Sequence, residues 1–221
     1  MSAASASQFS LSQYWAQADG ISHGVAYVLL AMSLVSWFVI LSKAFSLWRV
    51  RRAAPAVDAF WASPSTDDGI ALLRAADRER VFAPLPEQAV QYSGAGAASI
   101  AGGMSRSEQV TRVLRQQITR SVHRVEGGLT LLASIGATAP FVGLLGTVWG
   151  IYHALGNVSA AGVVQIDKVA GPVGEALIMT GFGLAVAIPA VLAYNAFNRV
   201  NRITAAELDG FAHDLLARFG K

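Results

Sequence analysis

The sequence predicts an all-α integral membrane protein whose three transmembrane helices continue into long cytoplasmic helical extensions. Of its 221 residues, 53% are hydrophobic and only 14% are charged, whereas ordinary soluble domains carry about 25% charged residues. Lysine, arginine, aspartate and glutamate are absent from residues 20–42 and 127–166, and Glu175 alone interrupts 169–198. Because about 20 apolar residues cross a bilayer core of ~30 Å, we expect transmembrane helices at 22–43, 128–154 and 170–197.

The distribution of basic residues predicts the orientation of these spans. Lysine and arginine are absent from residues 1–19, whereas twelve lie in 43–126 and four in 199–221, and one lies between the second and third spans. Cytoplasmic flanks of membrane proteins are enriched in these residues. We therefore expect two outer segments, 1–21 and the short loop 155–169, and two cytoplasmic segments, 44–127 and 198–221.

The composition also excludes several classes of protein. The net charge is only +3 and no basic run alternates with aromatic residues, so we expect no nucleic-acid partner. Cysteine is absent and the four histidines are scattered, which argues against disulfides and metal sites. The sequence has no GxSxG, HExxH or phosphate-loop motif, so the chain is predicted not to be an enzyme and to need no cofactor.

The outer N-terminus and the first span carry weaker helix signals. A short amphipathic helix on the outer face is predicted by the spacing of Leu11, Trp15 and Ala18, with a tail lacking regular structure as an equal alternative. The helix of the first span is expected to run on past Lys43 to about Trp61.

The cytoplasmic segment 44–127 is predicted to be helical. Ser65 with the acidic residues that follow it predicts a helix start, and the end of that helix is expected at Pro84 and Pro86. The glycine-rich stretch 94–103 predicts a break. Ser105 and Glu108 form a capping-box pattern, from which we expect one helix over about 106–154.

The second and third spans each carry a stripe of small residues. In the second span the stripe consists of Gly136, Ala139, Gly143, Gly146 and Gly150. The corresponding line in the third span consists of Ala176, Thr180, Gly183, Ala187 and Ala190. Small residues let helix backbones approach closely in lipid, so the stripes predict tight packing around a shared feature. Ordinary helix packing is the alternative explanation.

Glu175 is the most informative residue of the third span. A carboxyl group inside a span costs about 2.5–3.5 kcal/mol on insertion scales and usually faces a bundle interior or water. The residue is therefore a candidate proton relay or inner-pore acid. The alternative is an interfacial acid at the outer end of the span. Thr180 lies five residues further on, about 140° around a straight helix.

Three stretches of the second and third predicted spans form long motifs: ATAPFVGLLGTVWGI at 137–151, GPVGEAL at 171–177 and AIPAVLAYN at 187–195. Together they resemble the ExbB/TolQ/MotA proton-channel family. The span count, the orientation and the charged cytoplasmic segment are similar as well. Two further stretches, GIYHAL at 150–155 and the tail 208–219, look more like the ExbB branch than the TolQ branch.

The resemblance implies a multi-pass subunit of a motor in the Gram-negative inner membrane, with a periplasmic N-terminus and a cytoplasmic C-terminus. ExbB-like chains form a homopentamer around a central lumen, which holds the single-span helices of an ExbD-like partner. Proton flow through that complex energises a TonB-like protein for outer-membrane uptake of iron–siderophores and vitamin B12. The expected partners are thus ExbD-like and TonB-like proteins, further copies of this chain and the lipid bilayer.

The resemblance also assigns roles to individual residues. The polar positions of the family's proton pathway match Glu175, Thr147 and Thr180. Helix packing and lumen shape are assigned to Pro140, Gly143, Gly146, Gly150 and Gly183. The proton itself is expected on the partner's membrane aspartate or on Glu175. Two alternatives stay open: a TolQ-like subunit of the Tol-Pal system, which maintains the outer membrane, and a passive scaffold whose stripes only pack helices.

Overall fold

A computed structural model of the chain describes residues 19–93, 105–161 and 166–220. Inside the helices, the side chains at 157–161, 166–172 and 175 are outside that description. The described residues form seven helices: α1 Gly20–Ala53, α2 Ala56–Trp61, α3 Thr66–Ala76, α4 Pro84–Ser93, α5 Arg106–Glu126, α6 Leu129–Ala161 and α7 Ile166–Phe219. The predicted outer amphipathic helix and the predicted break at 94–103 lie outside the described residues.

Three helical segments of the described residues are long and apolar enough to cross a membrane, by length and composition. They are Gly20–Trp61, Leu129–Gly156 and Ala176–Phe219. The all-helical fold and the number of candidate spans are therefore as the sequence predicts. The chain divides into two compact units. The first unit contains Met1–Ile40 and Thr130–Tyr194, and the second contains Leu41–Leu129 and Asn195–Lys221.

The first unit packs α1, α6 and α7 around a small apolar core. The buried residues of this core are Val25, Leu29, Ala139, Met179 and Ala187. Many large apolar side chains remain exposed, among them Phe38 at 74% and Phe141 at 71%. Exposed apolar patches of this extent mark contact with lipid or with other subunits, which fits helices that cross a bilayer.

The second unit has a larger core, typical of a water-soluble helical domain. Its fully buried side chains come from α1, α3, α4, α5, α7 and the α3–α4 connection, and include Val50, Leu73, Val81, Phe82, Leu85, Val110, Leu208 and Leu215. Helix α5 contributes one apolar face to this core and exposes a row of charged residues on the other. The unit is thus held by burial of apolar area, worth roughly 25 cal/mol per Å².

The prediction that the helix beginning after Ser65 ends at Pro84 is wrong. Ser65 caps α3 as expected, since its side chain accepts the backbone N–H of Asp68, but α3 ends at Ala76. The buried Asp77 ends it, because one carboxylate oxygen accepts the backbone N–H groups of Phe82 and Ala83 at 2.7 and 2.8 Å. Pro84 is instead the first residue of α4, where its missing N–H costs nothing.

The prediction of one helix over about 106–154 is also wrong. The capping box at Ser105 and Glu108 is confirmed, but Gly127 and Gly128 separate α5 from α6, and Gly128 has a φ of 84°, which side chains disfavour. The carbonyl of Val125 exposed by the break accepts Lys43 Nζ at 3.2 Å and Asn201 Nδ2 at 3.3 Å. Side chains of two other helices, α1 and α7, therefore donate hydrogen bonds to the carbonyl group at the break.

Two other helix ends differ from the sequence analysis. Helix α1 runs past Lys43 as predicted but ends at Ala53, and a turn at Ala54 and Pro55 precedes α2. Helix α6 continues to Ala161, beyond the predicted end of the second span at 154, and α7 begins at Ile166. A single helix then continues through the predicted third span and the predicted C-terminal segment to Phe219.

Candidate functional site

The glycines of α6 and α7 place the two backbones in direct contact. A Cβ atom added to Gly143 would lie 2.6 Å from the carbonyl oxygen of Met179, and one added to Gly183 would lie 2.7 Å from that of Ala139. Ordinary contacts between such atoms are about 3.5–4 Å. The two helices can approach this closely only because neither residue has a side chain.

Gly146 and Gly150 extend the contact along α6. An added Cβ would lie 3.0 Å from Val25 Cγ1 of α1 at Gly146, and 2.9 Å from Ala176 Cβ of α7 at Gly150. Pro140 is half-buried inside α6, and it provides no N–H for the backbone ladder. The predicted packing role of the glycine stripe is thus consistent with these contacts, whereas the shape of a lumen is a property of an assembly.

The close approach brings two threonine hydroxyls together. Thr147 Oγ1 lies 2.5 Å from Thr180 Oγ1 and 3.2 Å from the carbonyl oxygens of both Gly143 and Ala176. Thr147 is only 5% exposed and Thr180 is half-buried. A hydroxyl carries one hydrogen to donate and two lone pairs. Thr147 can therefore donate to a helix carbonyl while it accepts the hydrogen of Thr180.

This hydroxyl pair is the polar centre of an otherwise apolar contact. The apolar core of the same unit contains the buried residues Ala139, Met179 and Ala187. Two linked hydroxyls can orient a water molecule, accept a hydrogen bond from a carboxylic acid or pass a proton between two neighbours. The family resemblance assigns Thr147 and Thr180 to the proton pathway, and the structure places the two side chains in contact.

Glu175 occupies α7 directly before Ala176, whose carbonyl oxygen is one of the acceptors for Thr147. The structure places the backbone of Glu175 in the helix, and its side chain lies outside the described residues. Its role consequently remains a prediction from the sequence. Among the residues described, no group of three histidine, aspartate or glutamate side chains forms a metal site.

A second polar contact, which the sequence analysis does not predict, lies at the start of α1. The carboxylate of Asp19 accepts the indole N–H of Trp149 and the backbone N–H of Ser22, so it caps α1 and joins it to α6. Partial burial raises the pKa of Asp19, but these hydrogen bonds and the nearby His153 outweigh that effect and lower the pKa from 3.8 to about 2. An acidic residue directly before an apolar run is a helix-start pattern and could have identified Asp19.

The sequence of this chain is similar to that of a known protein family. Residues 84–209, more than half of the chain, match the MotA/TolQ/ExbB proton channel family. The chain belongs to this family. The match includes both helices of the threonine pair and the connection between them. Members of a proton channel family are not enzymes, in agreement with the prediction from the missing catalytic motifs.

Within this family, the chain can be compared with individual ExbB and TolQ proteins. The biopolymer transport protein ExbB of Xanthomonas campestris is 48% identical over 202 residues, covering 88% of this chain and 80% of the relative. ExbB of Neisseria meningitidis is 42% identical over 205 residues, covering 90% and 92%. The Tol-Pal system protein TolQ of Pseudomonas aeruginosa is 31% identical over 208 residues, covering 87% and 85%. The chain is thus more similar to these ExbB proteins than to this TolQ.

Proposed function

We propose that this protein is the ExbB-like subunit of an inner-membrane proton motor that energises TonB-dependent uptake of iron–siderophores and vitamin B12. The observation that carries the proposal is the buried contact of 2.5 Å between Thr147 and Thr180. It lies between two apolar helices at a glycine-lined crossing. One carbonyl oxygen that accepts Thr147 belongs to Ala176, the residue directly after Glu175. Helix packing alone requires small side chains at this crossing but no hydroxyl.

In the proposed motor, other subunits and lipid cover the exposed apolar faces of the first unit. In the proposed homopentamer, α6 and α7 of five copies surround a lumen that holds the single-span helix of an ExbD-like partner. Five copies would bring five Glu175 carboxyls to one level of the bilayer. Like charges in a low-dielectric environment disfavour full ionisation, so some of these carboxyls would be protonated and could exchange protons with the partner.

The threonine pair would act beside this ring as a hydrogen-bond relay. Thr180 and Thr147 hold their hydroxyls between α6 and α7, where they could orient water or the partner's carboxyl group. Each proton that crosses 100 mV releases about 2.3 kcal/mol. A few protons per step would be enough to break and remake the contacts between a single-span partner and the surrounding helices.

The proposed orientation follows from the distribution of basic residues. The basic segments 44–127 and 198–221 would lie in the cytoplasm, while 1–21 and 155–169 would face the periplasm. The TonB-like protein would engage the complex from the same membrane and reach the outer membrane through the periplasm.

Complementation tests the function directly. The chain and its own ExbD-like partner are expressed in cells lacking both the ExbB and the TolQ systems. Growth on a ferric siderophore and resistance to detergent are scored side by side. We expect rescue of growth, and loss of that rescue in Glu175→Ala with oligomer assembly unchanged. Glu126→Ala is the matched control, because Glu126 is an exposed acid whose nearest basic group, His123 Nδ1, lies 3.9 Å away.

The outcomes separate the alternatives. Full uptake in Glu175→Ala would refute the assignment of that residue. Rescue of detergent resistance without iron uptake would assign the chain to the TolQ-like role. Rescue of neither phenotype by an expressed and assembled protein with its cognate partner would favour the passive scaffold.

A further inference from the structure

The second unit contains a groove that the proton pathway does not use. It has a volume of about 450 Å³ and is bordered by the end of α1, by α2 and by the last part of α7. Its aromatic side consists of Trp61, Phe82 and Phe211. Trp61 and Phe211 pack edge to face with their ring centroids 6.1 Å apart. Phe82 and Phe211 are buried, so Trp61 provides the exposed aromatic surface.

The rim of the groove is acidic. Asp58, Glu207 and Asp214 line it together with a single basic residue, Arg51. All four side chains belong to exposed residues. In the part of the chain that the structure describes, none of the three carboxylates forms an ion pair. The groove therefore combines uncompensated negative charge with aromatic surface, a combination that suits a guanidinium group.

Helix α5 of the same unit carries the complementary chemistry. Its inner face is buried through Val110 and Leu114, whereas its outer face exposes Arg112, Arg115 and Arg120. Among the described residues the side chains of these three arginines form no ion pair and no hydrogen bond; the backbone carbonyl of Arg115 accepts the hydroxyl of Thr119.

Other arginines of the unit do have partners. Arg49 pairs with Glu79, and Arg74 and Arg80 pair with Glu87. Arg124 of α5 donates to the carbonyl oxygens of Glu79 and Arg80. Across the described parts of the chain, the side chains of Arg112, Arg115 and Arg120 have no such partner.

The charged residues of the two surfaces have similar spacings along their helices, so they could pair with one another. Glu207 and Asp214 are seven residues apart on α7, which places them on one face about 10.5 Å apart along the helix. Arg112 and Arg120 on α5 are separated by about 12 Å along their helix, with Arg115 between them. Arginine matches carboxylates with two parallel hydrogen bonds and stacks on aromatic rings.

We propose that the acidic groove binds the outer arginine face of α5 from a second copy of this chain. The inference rests on the ring assembly contained in the proposed function. A contact between two different surfaces of identical chains is heterologous, and such contacts generate closed rings when the rotation closes. Each copy would offer its groove to one neighbour and its arginine face to the other.

Disulfide trapping tests the contact directly, because the chain has no cysteine of its own. Asp214→Cys is combined with Arg115→Cys, and Glu207→Cys with Arg112→Cys, in membranes treated with a mild oxidant. We expect dimers and higher multimers on non-reducing gels, formed about tenfold faster than in the control because an interface holds thiols at millimolar effective concentration. The control combines Arg115→Cys with Asp209→Cys, an exposed residue of α7 that does not line the groove.

Charge exchange provides a second test that does not depend on cysteine geometry. Asp214→Arg and Arg115→Glu, each alone, should reduce the fraction of chain recovered as oligomer in mild detergent. The two substitutions together should restore it. Arg78→Glu, at an exposed arginine outside both surfaces, should have no effect.

The results distinguish this inference from the proposed function. Native mass that shows an oligomer, without trapping above the control and without rescue by charge exchange, would overturn the groove contact and leave the motor proposal standing. Trapping only to a co-expressed ExbD-like protein carrying cysteines would assign the groove to that partner and also overturn the inference. A native mass that shows a monomer would refute the ring assembly and, with it, the groove contact.

Discussion

Gly183→Ala adds one methyl group at the closest approach of α6 and α7. The new Cβ would lie 2.7 Å from the carbonyl oxygen of Ala139 and 3.1 Å from the Cα of Gly143. Both atoms belong to backbone and cannot rotate away. Since van der Waals contacts between such atoms are about 3.5 Å or longer, the helices would have to separate locally by several tenths of an ångström to about 1 Å.

Gly181→Ala is the matched control two residues earlier on the same helix. An added Cβ at Gly181 has no atom within 4 Å. Both substitutions gain the same helix propensity, about 1 kcal/mol for alanine over glycine. Overpacking costs about 1–3 kcal/mol, so Gly183→Ala should be less stable than Gly181→Ala by that amount.

The separation should also disturb the hydroxyl pair, because the 2.5 Å contact of Thr147 and Thr180 lies within the same crossing. Thermal unfolding in detergent compares the stability of the two variants, and siderophore-dependent growth compares their activity. We expect Gly181→Ala to retain both. Equal stability and equal growth of the two alanine variants would refute the argument that the glycine contact sets the distance between the helices.

Three further predictions concern single side chains. Thr147→Ala and Thr147→Ser lose the same methyl group and differ only in the hydroxyl, so Thr147→Ala should abolish energised growth while Thr147→Ser should retain it; wild-type growth of the alanine variant would contradict the relay. Asp77→Ala leaves two buried backbone N–H groups unpaired and should cost about 3–5 kcal/mol in unfolding, against a near-neutral exposed control, Asp67→Ala. The folded-state pKa of Asp19 is below its ordinary value, so its contribution to stability is present above pH 3.8 and is lost as pH falls towards about 2. Thermal melts of wild type and Asp19→Asn should converge over that interval, and a constant difference would contradict the assignment.

The fold was predictable where one physical signal dominated. Three long stretches with at most one charged residue suffice to predict three apolar helices, because a bilayer core requires about 20 apolar residues per crossing. The helix starts at Ser65 and Ser105 were equally predictable from local sequence, because each side chain accepts the backbone N–H of a residue three positions later. The glycine stripe predicted close packing because only small residues permit it in lipid.

The errors arose where contacts distant in sequence decide the local structure. Proline near the end of an apolar pattern suggested a helix end, but a buried carboxylate at Asp77 ended α3 earlier through amides five and six residues away. The break at Gly127 is sustained by Lys43 and Asn201, which satisfy the carbonyl of Val125 from elsewhere in the chain. Helical periodicity alone contains neither of these contacts.

The threonine pair decides between a motor and a scaffold more directly than the glycines do. A hydrogen bond between side chains of membrane helices contributes on average only about 0.6 kcal/mol to stability, so the pair adds little to packing. Buried hydroxyls nevertheless need partners, and Thr147 finds them in two carbonyl oxygens and in Thr180. A scaffold requires only small side chains at this crossing and has no need of paired hydroxyls. The placement of two hydroxyls where the backbones touch is therefore better explained by proton chemistry. The comparison of Thr147→Ala with Thr147→Ser separates the two explanations, because these variants differ only in the hydroxyl.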